Sequence, residues 1–130
     1  MQFRSDCPIS SGLELFGDKW TLLIVRDLLY YKEQTFKDFT SKEEKISTAR
    51  LSDRLKKMEC LELITKERHA TNKKVFIYKL TPKGKDLAPI IVEIILWGEE
   101  YLENHISEAS KEFAKKVKED KGKILRELLK

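Results

Sequence analysis

Ile46-Ser47-Thr48-Ala49-Arg50-Leu51-Ser52-Asp53-Arg54-Leu55-Lys56-Lys57-Met58 opens a stretch whose reading decides the fold; it runs on through Leu63-Ile64-Thr65-Lys66-Glu67-Arg68 and Val75-Phe76-Ile77-Tyr78-Lys79-Leu80 to Thr81-Pro82-Lys83-Gly84. Ser47 is a favoured helix N-cap, and Leu51, Leu55 and Met58 follow at i, i+4 and i+7, so the spacing predicts a helix with one apolar face. Thr48, Arg50, Ser52, Asp53, Arg54, Lys56 and Lys57 are left for its other faces. The two later runs are β-branched and aromatic, and the polar segment from His69 to Lys74 separates them, with turn chemistry at Thr71-Asn72. They predict a hairpin. Between Ser47 and Lys74 eight basic residues stand against four acidic ones, a surplus equal to the formal +4 of the whole chain. The positive charge is concentrated on this helix and hairpin.

Outward from this stretch, the pattern is helical on both sides. Pro8 fits the first turn of a helix opened by Cys7 or a neighbour, on which Ile9, Leu13 and Phe16 recur until Gly17-Asp18 interrupts. Asp18 can cap a second helix whose apolar face is Trp20, Leu23, Ile24, Leu28 and Tyr31. Phe36 and Phe39 then place a short third helix just before the Ser47 helix. Past the hairpin, Pro82 starts a helix bearing Leu87, Ile90, Ile91, Ile94, Ile95, Trp97, Tyr101 and Leu102. That helix is apolar over more of its circumference than a small monomer can cover, so a partner subunit is its natural cover. In the tail Phe113, Val117, Ile124, Leu125 and Leu128 predict one more helix, with Gly122 as its weak point.

At 130 residues the chain suits one folding unit with an accessory element. The division is expected at 1–106 for the main domain and 107–130 for a helical extension. The fold class is mainly α with a small β-hairpin (α+β), a winged helix-turn-helix with added dimerisation helices. With 41% hydrophobic and 37% charged residues the composition is that of a soluble, ion-rich chain. The apolar runs are too short for a membrane span and the N-terminus has no signal-peptide pattern, so the expected location is the cytoplasm. Cys7 and Cys60 show neither metal nor disulfide spacing, and His69 and His105 are the only histidines; no metal and no cofactor is expected. Asp38, Asp53 and Glu59 make no convincing acid/base pair, and no catalytic residue is assigned. Trp20 and Trp97 are read as core and dimer packing rather than as the lining of a ligand site.

A helix that reads DNA needs donors on one face and apolar anchors on the other, because the major groove admits a helix and shows a distinct hydrogen-bond pattern for each base pair. The Ser47 helix meets both demands. Ser47, Thr48, Ala49, Arg50, Ser52, Asp53, Arg54, Lys56 and Lys57 form the candidate reading surface, with Arg50 and Arg54 placed for guanine. Arg68, His69, Asn72, Lys73 and Lys74 form the candidate wing contacts to the backbone. The expected partner is double-stranded DNA. The competing class is a protein-interaction module built on a winged helix without specific DNA binding, which would have no need of a positive helix and hairpin. A small enzyme with Cys7 as nucleophile would need a base and an oxyanion site that the chain does not advertise.

These residues resemble the HxlR family of winged helix-turn-helix transcriptional regulators, related to the MarR-like group. The likeness is carried by Cys7-Pro8, Gly17-Asp18-Lys19-Trp20-Thr21-Leu22-Leu23-Ile24 with Arg26 and Leu29, Phe36 with Phe39, Ile46-Ser47 through Leu55, Leu63-Ile64, Tyr78 to Gly84, and Trp97-Gly98. The resemblance implies a cytoplasmic homodimer on a roughly palindromic operator; the expected role is that of a transcriptional regulator, read as a repressor although the sequence does not carry the sign of regulation. Its interface is implied at the N-terminal segment (Ile9, Leu13) and the Pro82 helix (Leu87, Ile90, Ile91, Ile94, Ile95, Trp97, Tyr101). Cys7 resembles the N-terminal cysteine with which some members sense oxidants or electrophiles, so a redox or small-molecule effector is implied as well. Two features depart from the pattern. Glu62 stands where the family commonly has Gly, and the wing lacks the prolines often found there; the tail after Ser107 lies beyond the likeness.

Overall fold

The computed structural model describes residues 2–130. Helix α1 (Pro8–Phe16) has Pro8 in its first turn, where a missing N–H costs nothing, and α2 (Thr21–Tyr31) follows across a turn. Asp18 starts α2: its Oδ2 accepts the N–H groups of Trp20 and Thr21, both at 3.0 Å. Strand β1 (Glu33–Thr35) leads directly into α3 (Phe36–Thr40), which opens on a capping box between Thr35 and Asp38. The reading-helix candidate, α4 (Thr48–Cys60), is capped by Ser47, whose Oγ accepts the Arg50 N–H at 3.2 Å. The hairpin is β2 (Ile64–Arg68) and β3 (Phe76–Leu80). After it come α5 (Pro82–Lys85), α6 (Ala88–Tyr101), α7 (Glu108–Glu119) and α8 (Lys121–Leu128).

The sheet is antiparallel in the order β1-β3-β2, with Arg68 opposite Phe76 and Gln34 opposite Tyr78. The hairpin is therefore part of a three-stranded sheet, a strand more than the sequence pattern predicts. β1 comprises Glu33, Gln34 and Thr35 and has no apolar alternation, so pairing with β3 alone defines it.

Two helices divide where single ones were expected. The helix from Pro82 stops at Asp86 and restarts after Leu87, whose N–H turns back to the Gly84 carbonyl at 3.1 Å. The tail helix breaks at Asp120, which ends α7 and caps α8 by accepting the Lys123 N–H, two residues before the expected weak point at Gly122. No described helix is long and apolar enough to cross a membrane.

One continuous core draws on α2, α3, α4, β2, β3, α6, α7 and α8. Ile24, Val25, Leu28 and Leu29 of α2 meet Phe39 of α3, the α4 stripe of Leu51, Leu55 and Met58, and Ile64, Tyr78 and Leu80 of the sheet. Ala88, Ile91 and Val92 of α6 join it, and so do Val117, Ile124 and Leu128 from the tail. The tail is also tied by ion pairs, Lys118 to Glu99 and Lys121 to Glu93.

The Leu80-to-Gly84 motif acts as a clasp on the end of α4. That helix closes through a Schellman arrangement: the Leu63 N–H donates to Met58 O at 2.9 Å and the Glu62 N–H to Glu59 O at 3.0 Å, with Glu62 left-handed at φ 60°. Thr81 locks this turn, its hydroxyl donating to Glu62 O at 2.6 Å and its N–H to Leu63 O at 3.0 Å. Gly84 is required beneath it, because a Cβ there would lie 2.1 Å from the Leu63 carbonyl oxygen.

Candidate nucleic-acid interface

Leu51, Leu55 and Met58 fix how α4 faces solvent. At about 100° per residue, with that stripe inward, Ala49, Asp53, Lys56 and Cys60 lie furthest outward, Thr48 and Ser52 on one flank, and Arg50, Arg54 and Lys57 on the other. Thr48, Ala49, Arg50, Ser52, Asp53 and Lys56 are exposed. Arg50 takes part in none of the ion pairs among the described residues. It is a guanidinium on the first turn with its donors unspent.

Arg54 and Lys57 are placed differently. The Arg54 side chain is only 22% exposed and bridges Asp18 Oδ1 at 3.4 Å and Asp53 Oδ2 at 2.6 Å. Its hydrogen bond to Asp53 and, against some desolvation, the charges of Asp18 and Asp53 push its already high pKa further up. Desolvation opposes the charge on Asp18, yet bonds from the Thr21 hydroxyl and the Thr21 and Trp20 N–H groups, with Arg54 nearby, hold its carboxyl below the usual range. Lys57 Nζ donates to the carbonyl of Glu14 in α1 at 3.1 Å. These two cations therefore moor α4 to α1 and to the start of α2. Asp18 and Glu14 lie far back in the chain, a relation that the helical spacing of α4 does not carry.

The approach to α4 is pinned by a second cluster. Arg26 donates twice to Glu44, at 2.9 and 3.0 Å, and through Nε to the buried Asp27 at 3.0 Å. The Glu44 bond, outweighing desolvation, raises the arginine's pKa, while burial pushes the Asp27 carboxyl up. The turn that delivers α4, with Lys45 left-handed at φ 56°, is thereby held to α2.

The wing is organised by its own side chains. His69 Nδ1 accepts the N–H groups of Thr71 and Asn72 at 3.2 and 3.1 Å, which puts the ring proton of the neutral imidazole on Nε2. Asn72 Oδ1 accepts the Lys74 N–H at 3.2 Å, and Arg68 donates to the Lys73 carbonyl at 2.6 Å while lying 4.9 Å from the Phe76 ring centroid. Lys66 covers the same ring at 4.2 Å. His69, Asn72 and Arg68 thus build the turn, and Lys73 and Lys74 stand exposed at its tip.

Between wing and α4 lies a groove of about 740 Å³, walled by Thr48, by Lys37 and Thr40 of α3, and by His69 and Lys74, over the aromatic floor of Phe36 and Tyr78. The sequence pattern singles out neither Lys37 nor Thr40; for Lys37 the signal is present, since Phe36 and Phe39 on one side of α3 turn it to the other, whereas Thr40 lies on the Phe36 side and becomes a groove residue only in the fold.

The candidate interface residues divide. Ile9 and Leu13 are 73% and 55% exposed, and Ile94, Trp97 and Tyr101 are 52%, 60% and 67% exposed, with the Trp97 and Tyr101 rings 5.1 Å apart. Leu87, Ile90 and Ile95 are half-buried, and Ile91 points into its own core. Cys7 and Cys60 are both exposed free thiols, and no group of His, Cys, Asp and Glu among the described residues is arranged to hold a metal.

Comparison with known proteins bears on this surface. A model of the HxlR-like helix-turn-helix family matches residues 15–106. An HTH-type transcriptional regulator of Mycobacterium tuberculosis, MT3179, is 33% identical over 94 residues, which cover 72% of this chain but 58% of the relative's length. A Porphyromonas gingivalis W83 structure assigned to MarR-family transcriptional regulators superposes with TM-score 0.64 at 28% identity, covering 78% of this chain and 98% of that one. The reduced form of the Bacillus subtilis transcriptional regulator YodB superposes with TM-score 0.61 at 30% identity, covering 78% of this chain and all of that one. YodB has also been solved in quinone-bound and diamide-treated forms.

Proposed function

The chain belongs to the HxlR-like helix-turn-helix family, and from that premise we propose that it is a sequence-specific DNA-binding transcriptional regulator, a repressor that grips a pseudo-palindromic operator as a homodimer in the cytoplasm. The observation that carries this reading is the exposed, unpaired Arg50 on the first turn of a helix whose opposite face is locked into the core. A guanidinium there can give two parallel N–H bonds to guanine O6 and N7, worth about 1–3 kcal/mol of discrimination. Ser47, Thr48, Ala49, Ser52, Asp53 and Lys56 complete the reading surface. The free N–H groups at the start of α4 suit a phosphate.

Lys73 and Lys74 at the wing tip and Lys37 on α3 supply phosphate contacts on either side of the groove, with Arg68, His69 and Asn72 setting the wing's shape. Arg54 and Lys57 act as positioning residues that hold α4 at its angle. Two-fold pairing through Ile9, Leu13, Ile90, Ile94, Trp97 and Tyr101 covers apolar surface that the protomer leaves in water, with Leu87, Ile91 and Ile95 supporting that face from behind. Cys7 stands next to this surface as an exposed thiol, where an electrophile or oxidant reaches the regulator.

Fluorescence anisotropy with duplex DNA at two salt concentrations tests the reading. Affinity should fall steeply with salt, Arg50→Ala should cost about 1–3 kcal/mol on the preferred site and flatten base preference, and neutralising Lys73 or Lys74 should weaken all duplexes alike and lower the salt slope by about 1 each. Equal binding of preferred and random duplexes by the unaltered protein would favour a protein-interaction module instead.

A further inference from the structure

At the end of the sheet away from the wing tip, a cavity of about 400 Å³ opens between the winged helix and the C-terminal tail. Its apolar lining includes Leu29 of α2, Leu80 of β3 and Leu128 of α8, and Lys32, Lys85 and Lys130 stand around it. We propose that it binds a small amphipathic carboxylate, with the apolar body over the leucines and the carboxylate between Lys32 and Lys85.

Charge is the first argument. Glu33, the one carboxylate side chain lining the cavity, lies 3.8 Å from Lys79, which also lines it and lies 3.5 Å from Glu67, but none of the ion pairs among the described residues involves Lys32, Lys85 or Lys130. Desolvation, then repulsion from Lys85, lowers the basicity of Lys32, and a bound anion relieves that repulsion. Geometry is the second. Lys32 Nζ spends one donor on the Leu128 carbonyl at 2.7 Å, which fixes its position and leaves two donors of the ammonium available. The backbone of Lys32 is left-handed, φ 68°, a conformation costly for a residue with a side chain. Size is the third, since 400 Å³ lies within the roughly 300–1,000 Å³ of small-molecule sites. The fourth is location: α8 supplies one wall, so a ligand there joins the tail to α2 and β3 and stabilises their docking by mass action. None of this depends on the DNA-binding reading.

Titration of the full chain by amide NMR and by thermal melting provides the test, with three probes: octanoate, octanol for the body without the charge, and inorganic phosphate for the charge without the body. Octanoate is expected to give saturable shifts at Leu29, Leu80 and Leu128 and to raise the melting temperature, with the other two probes weaker by on the order of tenfold or more. Lys32→Gln combined with Lys85→Gln, shown by circular dichroism to keep the fold, is expected to weaken octanoate by a similar factor. Non-saturating shifts, octanol binding as well as octanoate, or undiminished binding by the double variant would each overturn the proposal. Phosphate binding as well as octanoate would reduce the site to a generic anion contact and overturn it equally.

Discussion

Glu62 shows how a single side chain can sit against local preference because its surroundings require it. The Schellman closure of α4 needs a left-handed residue at this point, and Thr81 then seizes the turn through the Glu62 and Leu63 carbonyls. A left-handed conformation costs a residue with a Cβ about 1–2 kcal/mol relative to glycine, partly offset by glycine's greater freedom in the unfolded chain. Glu62→Gly is therefore expected to stabilise the protein by about 0.5–1 kcal/mol in urea unfolding, and a loss of stability would show that the glutamate makes an interaction outweighing its strain. Arg50 and Arg54 make the complementary point. Both are arginines on one helix, equivalent in sequence, yet one is free and the other is spent on Asp18 and Asp53.

At the scale of elements, the molecule depends on how firmly α4 is moored. Asp18 does two jobs, starting α2 with its carboxylate and drawing in Arg54 from α4. Its folded carboxyl lies below the ordinary range, so its contribution is present above that range and lost as pH falls through the folded value. Asp18→Asn, which keeps an acceptor but not the charge, is expected to be less stable at neutral pH by a few tenths to about 1 kcal/mol, with the gap closing on acidification. A gap indifferent to pH in unfolding curves would mean that the charge at Asp18 is not what stabilises this corner.

The same elements show why only part of the structure could be read ahead of time. Leu51, Leu55 and Met58 announce α4 because a buried stripe must repeat at the helical period, and the β-branched runs around the wing announce the hairpin. Glu33-Gln34-Thr35 carries no such mark, since partnership with β3 makes it a strand. The break at Asp86 hides within an apolar run that continues on both sides. Nothing near Arg54 in sequence names Asp18 as its partner, so that pairing is visible only in the fold, whereas Arg50 has no ion-pair partner in either.

Across the whole molecule, the tail beyond the family match is part of the same core. Ile124 and Leu128 pack with the residues that carry the winged helix, and Lys32 holds the end of α8. Ile124→Ala is expected to cost about 2 kcal/mol or more and to shift one cooperative transition, whereas a separate early transition of the tail would mark it as an independent appendage. Trp97, Tyr101 and Ile94 leave an apolar face of α6 uncovered, and the proposed two-fold partner there would set the spacing of two copies of α4. Selection of binding sites from a randomised duplex pool examines that arrangement most directly. The expected product is an inverted repeat whose half-site centres lie about 10–10.5 base pairs, or a multiple of that, apart, with the half-site preference lost in Arg50→Ala; recovery of no inverted repeat, or an unchanged preference without Arg50, would contradict two-fold reading through α4.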